Sequence, residues 1–182
     1  MKENDYIFRN FFGDITFNEG IHYWEIIADA RTEHELKVGV SSTKELQRMK
    51  DFNKAKSENE EVKSAPVTVH ASKQFNKDQE QVSFSDCETG WAFFGIGRVR
   101  HNSNMHGKIY GKPFKRQGVL GCFLNMNKGQ LAFAIDGQYQ GVAFQSDALK
   151  KGPLYPAISL LHDAGCILVT GKYPPSYFWG FL

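Results

Sequence analysis

Apolar and polar residues alternate at period two along most of this chain, in short runs separated by glycine-rich or polar breaks. Such alternation puts every second side chain on one face, which is the pattern of a half-buried strand. The clearest case is "LAFAIDGQYQGVAF", residues 131–144. Leu131, Phe133 and Ile135 share one face, Val142 and Phe144 are expected to continue it, and Asp136-Gly137 between the runs is a strong hairpin signal. "GIHYWEIIADARTEHELKVGVSS" reads as two strands, His22 to Asp29 and Leu36 to Ser41, paired as a second hairpin across "ARTEHE". "PVTVHAS" and "EQVSFSD" restore the alternation, and "GWAFFGIGRVRHNSNMHGKIYGKPFKRQ" reads as strand, long loop, short strand. "GVLGCFLNMNKGQLAFAI" gives a strand, a turn at Asn125 to Gly129 and the first arm of the hairpin, and "LYPAISLL" and "GCILVTG" add two more strands. About ten to twelve short strands with minor helix predict an all-β fold of two antiparallel sheets packed face to face.

Two stretches break the pattern. Between Lys44 and Lys63 charges of both signs dominate with few apolar anchors, which predicts a solvated loop at the domain edge. The terminal "YPPSYFWGFL", residues 173–182, is so aromatic that it is expected to fold back on a sheet, because exposed rings promote association.

Composition narrows this picture further. A chain of 182 residues has the size of one domain, here expected to span residues 1–182 with a core from about 17 to 173. With 15 Phe, 7 Tyr and 3 Trp, the core should be aromatic, and Trp24 (sharing a face with His22 and Ile26), Trp91, Phe93, Phe123, Phe133 and Phe144 are its expected members. The odd set Cys87, Cys122 and Cys166, in or beside strand-like runs, points to buried reduced thiols rather than disulfides or zinc. With no apolar run long enough to span a bilayer and no signal-peptide layout at the start, the expectation is an intracellular, cytoplasmic protein.

Net charge is only +2, but it is unevenly distributed. No Asp or Glu occurs between Thr89 and Ile135, whereas Arg98, Arg100, Lys108, Lys112, Lys115, Arg116 and Lys128 all do. Arg98 and Arg100 share a strand face next to His101, so a basic patch for an acidic peptide is expected there. The small total charge disfavours nucleic acid as the partner. His162-Asp163 has no nucleophile placed to work with it, and the six histidines show no metal-ligand spacing, so neither catalysis, metal nor cofactor is expected.

The order "GIHYWEI", "KVGVSS", "GWAFFGIGRVRHN", "YGKPFKRQGVLGCFLNMNKGQLAFAIDGQYQGVAF", "LYPAISL" closely resembles the SPRY domain family over about Phe17 to Tyr173. The resemblance implies a bent, concanavalin-like jelly-roll β-sandwich without catalytic activity that binds a peptide segment of a partner protein through loops at one end. The segment before Phe17 is too short for a full PRY half, so the expectation is a SPRY-only domain, or one cut from a longer protein. The family pattern departs at Gln117-Gly118, where Gly-Asp is usual, and at Asn125 and Asn127, where Asp is usual. By resemblance to SPRY substrate receptors, the binding loops are Ser42 and Thr43 after "VGV", and Leu161, His162, Asp163, Ala164 and Gly165 after "PAIS". A substrate receptor of a ubiquitin ligase is the first implied role. A structural subunit of a large cytoskeletal, channel or chromatin assembly is the second.

Overall fold

The computed structural model describes residues 8–32, 36–44, 68–70, 83–103, 105–114, 116–161 and 164–179. Twelve strands make two six-stranded antiparallel sheets. One sheet orders β1 (Phe8–Phe12), β11 (Tyr155–Leu161), β3 (Leu36–Ser41), β5 (Gly90–Phe94), β6 (Arg98–His101) and β7 (Lys108–Ile109). The other orders β10 (Gln138–Gln145), β9 (Gln130–Ile135), β8 (Val119–Asn125), β2 (Ile21–Ala28), β12 (Gly165–Val169) and β4 (Thr68–His70). The predicted all-β sandwich is therefore the fold. Between the sheets lies one core that includes Trp24, Ile26, Val38, Val40, Trp91, Phe93, Leu120, Leu131, Phe133, Ile135 and Leu160.

The Asp136-Gly137 hairpin forms as read, with both residues at positive φ (48° and 76°), the geometry of a type I′ turn. Its second arm differs. Register shifts on either side of Val142 set Val142 opposite Ala132 and Phe144 opposite Leu131, so the two residues expected on one face point to opposite faces. Val142 is exposed while Phe144 packs on the core.

The expected pairing of residues 22–29 with 36–41 does not occur. β2 pairs with β8 and β12, whereas β3 pairs with β11 and β5 in the other sheet, so the "ARTEHE" connection crosses from sheet to sheet. Period-two alternation identifies a strand that buries one face; it does not say which of two sheets the strand joins. Within "GWAFFGIGRVRHN" the loop is tighter than expected, since Gly95 to Gly97 join β5 directly to β6. Residues 45–63, nearly all of the expected charged loop, lie outside the described residues.

The end of "EQVSFSD" is a 3-10 turn, η1 (Phe84–Asp86), not a strand. Its seat is visible in the sequence of the strands beneath it. Ala157, Gly39 and Ala92 stand side by side across β11, β3 and β5, and these small residues leave room for the fully buried Phe84 on the outer face of the sheet. The approach is so close that a Cβ on Gly90 would lie 2.1 Å from the Phe84 carbonyl oxygen. Gly90→Ala should therefore lift η1 and cost roughly 1–3 kcal/mol, read as a lower urea midpoint with unchanged slope.

On the outer face of the second sheet, the one-turn helix α1 (Ser176–Trp179) lays Phe178 on Phe123, with Tyr23, Ala132, Ala134 and Tyr139 completing the cluster. The aromatic tail thus folds back as expected as far as Trp179, and Phe123 belongs to this outer cluster rather than to the layer between the sheets.

Candidate functional site

The register of the first sheet separates the two loops that the sequence suggested. Ser41 pairs with Tyr155 at the start of β11, whereas Leu160 pairs with Leu36, so Ser42-Thr43 and Leu161–Gly165 lie at opposite ends of the same strand pair. At ~3.3 Å per residue the loops are about 20 Å apart. The structure thus places them at opposite ends of the sheet, which differs from the expectation that both act at a single end.

At the Leu161 end the described residues are tied down. Leu161 and Ala164 are buried, and Gly165 is held by Thr32, whose hydroxyl donates to the Gly165 carbonyl (2.6 Å) and accepts its N–H (2.9 Å). Asp29 N–H donates to the same carbonyl at 3.0 Å. Leu161 is thus no projecting anchor, because burial against the sheet satisfies it better than solvent does. His162 and Asp163, the remaining expected residues of this loop, lie outside the described residues.

The Ser42 end is open and polar. Ser42 N–H donates to Thr89 O (2.8 Å), and the Ser41 hydroxyl donates to Thr43 O (2.7 Å), which fixes the loop while leaving Ser42 and Thr43 half-exposed. Half-exposed Tyr155 adjoins them, with Lys44 Nζ 5.0 Å from its ring centroid and 3.4 Å from Asp14. His101 sits at this same end, stacked on Trp91 (centroids 4.7 Å, planes 10° apart), with Nδ1 2.9 Å from Gly90 O. Tyr155 and Lys44 were not singled out from sequence. The only signal for them was adjacency to strand ends, and register was needed to bring them to Ser42.

The expected patch of Arg98, Arg100 and His101 divides. Arg98 and Arg100 do share the outer face of β6, but His101 faces the other way, onto Trp91. Arg100 is 8% exposed, and its Nη1 lies 3.6 Å from Asp86 Oδ1. The same carboxylate is 3.4 Å from Nζ of Lys37, which is fully buried and sits 3.9 Å above the Phe8 ring. Burial pulls the Lys37 ammonium down to about 8, with Arg100 adding to that effect and Asp86 opposing it. Arg100 is thus part of a buried ion cluster beneath η1, unavailable to a peptide. Arg98 remains half-exposed, its Nη1 donating to Gly107 O at 2.9 Å.

Cys122 and Cys166 are poor nucleophile candidates, whereas Cys87 is half-buried. Burial raises the Cys122 thiol well above its ordinary value and Cys166 to about 12, with Glu25 and Asp29 adding smaller effects in the same direction. Among the described residues no helix is long and apolar enough to cross a membrane.

Comparison with known proteins agrees with this architecture. The chain is 32% identical over 87 residues to the ATP-dependent RNA helicase Ddx1 of Drosophila melanogaster, covering 47% of this chain and 12% of the helicase. It is 33% identical over 101 residues to the E3 ubiquitin-protein ligase RKP of Arabidopsis thaliana, covering 54% of this chain and 8% of the ligase. The matched stretch therefore spans about a tenth of these relatives. The structure of the SPRY domain of human HERC1 superposes with a TM-score of 0.57 at 15% identity, covering 92% of this chain and 86% of that one. The SPRY domain profile itself matches residues 21–173, from the first residue of β2 past the end of β12, and so takes in eleven of the twelve strands described above. The chain belongs to the SPRY domain family.

Proposed function

We propose that this SPRY domain, a member of a family of protein-interaction modules, captures an extended segment of a partner protein at the open end formed by Ser42, Thr43, Tyr155 and His101. The observation that carries this reading is that the Ser42 end presents half-exposed polar groups beside aromatic rings, whereas Leu161 at the far end is buried. Polar groups fix the orientation of a bound chain while an aromatic contributes most of its affinity. The similarity to the E3 ubiquitin-protein ligase RKP supports a substrate-receptor role in ubiquitin transfer. A second reading, a subunit of a larger assembly, draws on Tyr173 and Trp179, which remain exposed at the tail.

Peptides selected on the folded domain from a displayed random library test the first reading. Tyr155→Ala and His101→Ala are each expected to weaken the selected peptides at least about tenfold, the scale of a hot-spot truncation, while Lys172→Ala on the other sheet leaves them unchanged. Equal binding by all three variants would remove the open end as the site.

A further inference from the structure

β7 is an open sheet edge, and its backbone geometry is specific. In an antiparallel ladder, pairs that exchange hydrogen bonds alternate with pairs that do not. Tyr110 N–H donates to Gly97 O at 3.0 Å, and Arg98 stands opposite Ile109 in the next position. Ile109 is consequently the residue whose own N–H and C=O turn away from β6. Among the described residues no strand lies beyond β7.

The side chains around this edge are equally unusual. Ile109 is 75% exposed and Met105 70%, with Lys108 and His106 exposed beside them and Arg98 paired across from Ile109. Behind them, the Gly107 backbone packs on the Arg100 stem, so the buried cluster of Lys37, Arg100 and Asp86 lies under the same surface. The segment from Gly90 to Ile135 contributes no carboxylate to oppose them. Lysine on an edge discourages pairing with a second copy of the same edge, and it favours a strand of opposite charge.

We propose that β7 is a second docking surface, which takes an extended acidic segment of a partner protein by strand addition. The Ile109 backbone N–H and C=O pair with the incoming strand. Ile109 and Met105 cover its apolar side chains, and Lys108, on the opposite face from Ile109 and Arg98, meets its carboxylates. This surface lies on the lateral edge of the sheet and is independent of the Ser42 end.

The test uses the full chain and an acetylated, amidated heptapeptide alternating aspartate and valine, followed by amide NMR. Shifts are expected at Arg98, Lys108 and Ile109, with affinity falling roughly tenfold between about 50 and 300 mM salt. Ile109→Pro should reduce affinity at least tenfold, and because that N–H takes no part in the β6 ladder the sheet should tolerate the change. A peptide N-methylated at alternate residues tests the same bonds without touching the protein, and should not bind. Equal binding of the methylated peptide, or no binding at millimolar concentration, would overturn the proposal. Shifts confined to Ser42, Thr43 and Tyr155 would also overturn it while leaving the open-end reading intact.

Discussion

Asp86→Asn should destabilise the domain by about 3–5 kcal/mol, the cost of leaving buried charge without its counter-ion. Asp86 lies 3.4 Å from Lys37 and 3.6 Å from Arg100, and its other oxygen accepts the Ser83 N–H at 3.0 Å, closing η1. An asparagine can still accept from Ser83, but it cannot offset two cations on the outer face of the sheet. Lys37→Met is the contrasting change. It removes one cation and leaves Asp86 paired with Arg100, so its cost should stay within about 1 kcal/mol despite the lost contact with Phe8. Urea unfolding of both variants separates a charge effect from simple loss of packing, since packing loss alone would rank the longer Lys37 side chain as the costlier deletion.

The pH dependence gives an independent reading of the same cluster. Lys37 titrates near 8 in the folded chain and near its ordinary 10.5 when unfolded. Below pH 8 it is charged in both states, and from pH 8 to 10.5 the unfolded chain holds more protons, so this group makes stability rise with pH across that window. Buried Cys166, Tyr110 and Tyr23 act in the opposite direction at alkaline pH, because their raised values make the unfolded chain release protons first. The difference between wild type and Lys37→Met cancels those common contributions. That difference should shift in favour of wild type by on the order of 2 kcal/mol between about pH 7 and pH 10. A difference that does not vary with pH would mean that Lys37 keeps its proton throughout. The Asp86→Asn penalty should shrink as pH rises toward 8 and stay level above it, because Lys37 has then shed its charge in both proteins.

How far the fold was legible follows from what each signal encodes. The Asp136-Gly137 turn was readable because positive φ at two successive positions restricts the choice of residues. The partner of β2 was not readable, since His22 to Asp29 looks the same whether it pairs with β3 or crosses to β8. Val142 failed for a related reason: a bulge adds a residue without altering composition, and everything after it changes face. At the proposed site, Ser42 and His101 were expected from sequence, but their neighbour Tyr155 and the placement of Leu161 at the far end depend on the register of β3 against β11. Arg100 shows the limit of reading charge as exposure. A period-two face containing two arginines is an outer face, yet η1 covers half of it, and only the small residues Gly39, Ala92 and Ala157 hinted that something packs there.

Phe178→Ala should cost about 3–5 kcal/mol, as expected for emptying the site of a fully packed aromatic ring. Phe178 is stacked on Phe123 (centroids 4.7 Å, planes 10° apart) and meets Tyr139 edge-on at 5.3 Å and Tyr23 at 5.6 Å. Ala132 and Ala134, members of the same cluster, are too small to fill the gap. Tyr173→Ala, at a residue 92% exposed in the same tail, should change stability by less than about 0.5 kcal/mol. The pair of results decides what the aromatic tail is for. A large loss at Phe178 with none at Tyr173 makes the α1 turn part of the sandwich, and leaves Tyr173 and Trp179, among the described residues of the tail, to support docking on a larger assembly. A loss below about 1 kcal/mol at Phe178 would instead mean that the turn detaches at little cost. The face of Tyr23, Phe123 and Tyr139 would then be open to a partner, and the assembly reading would rest on that aromatic face.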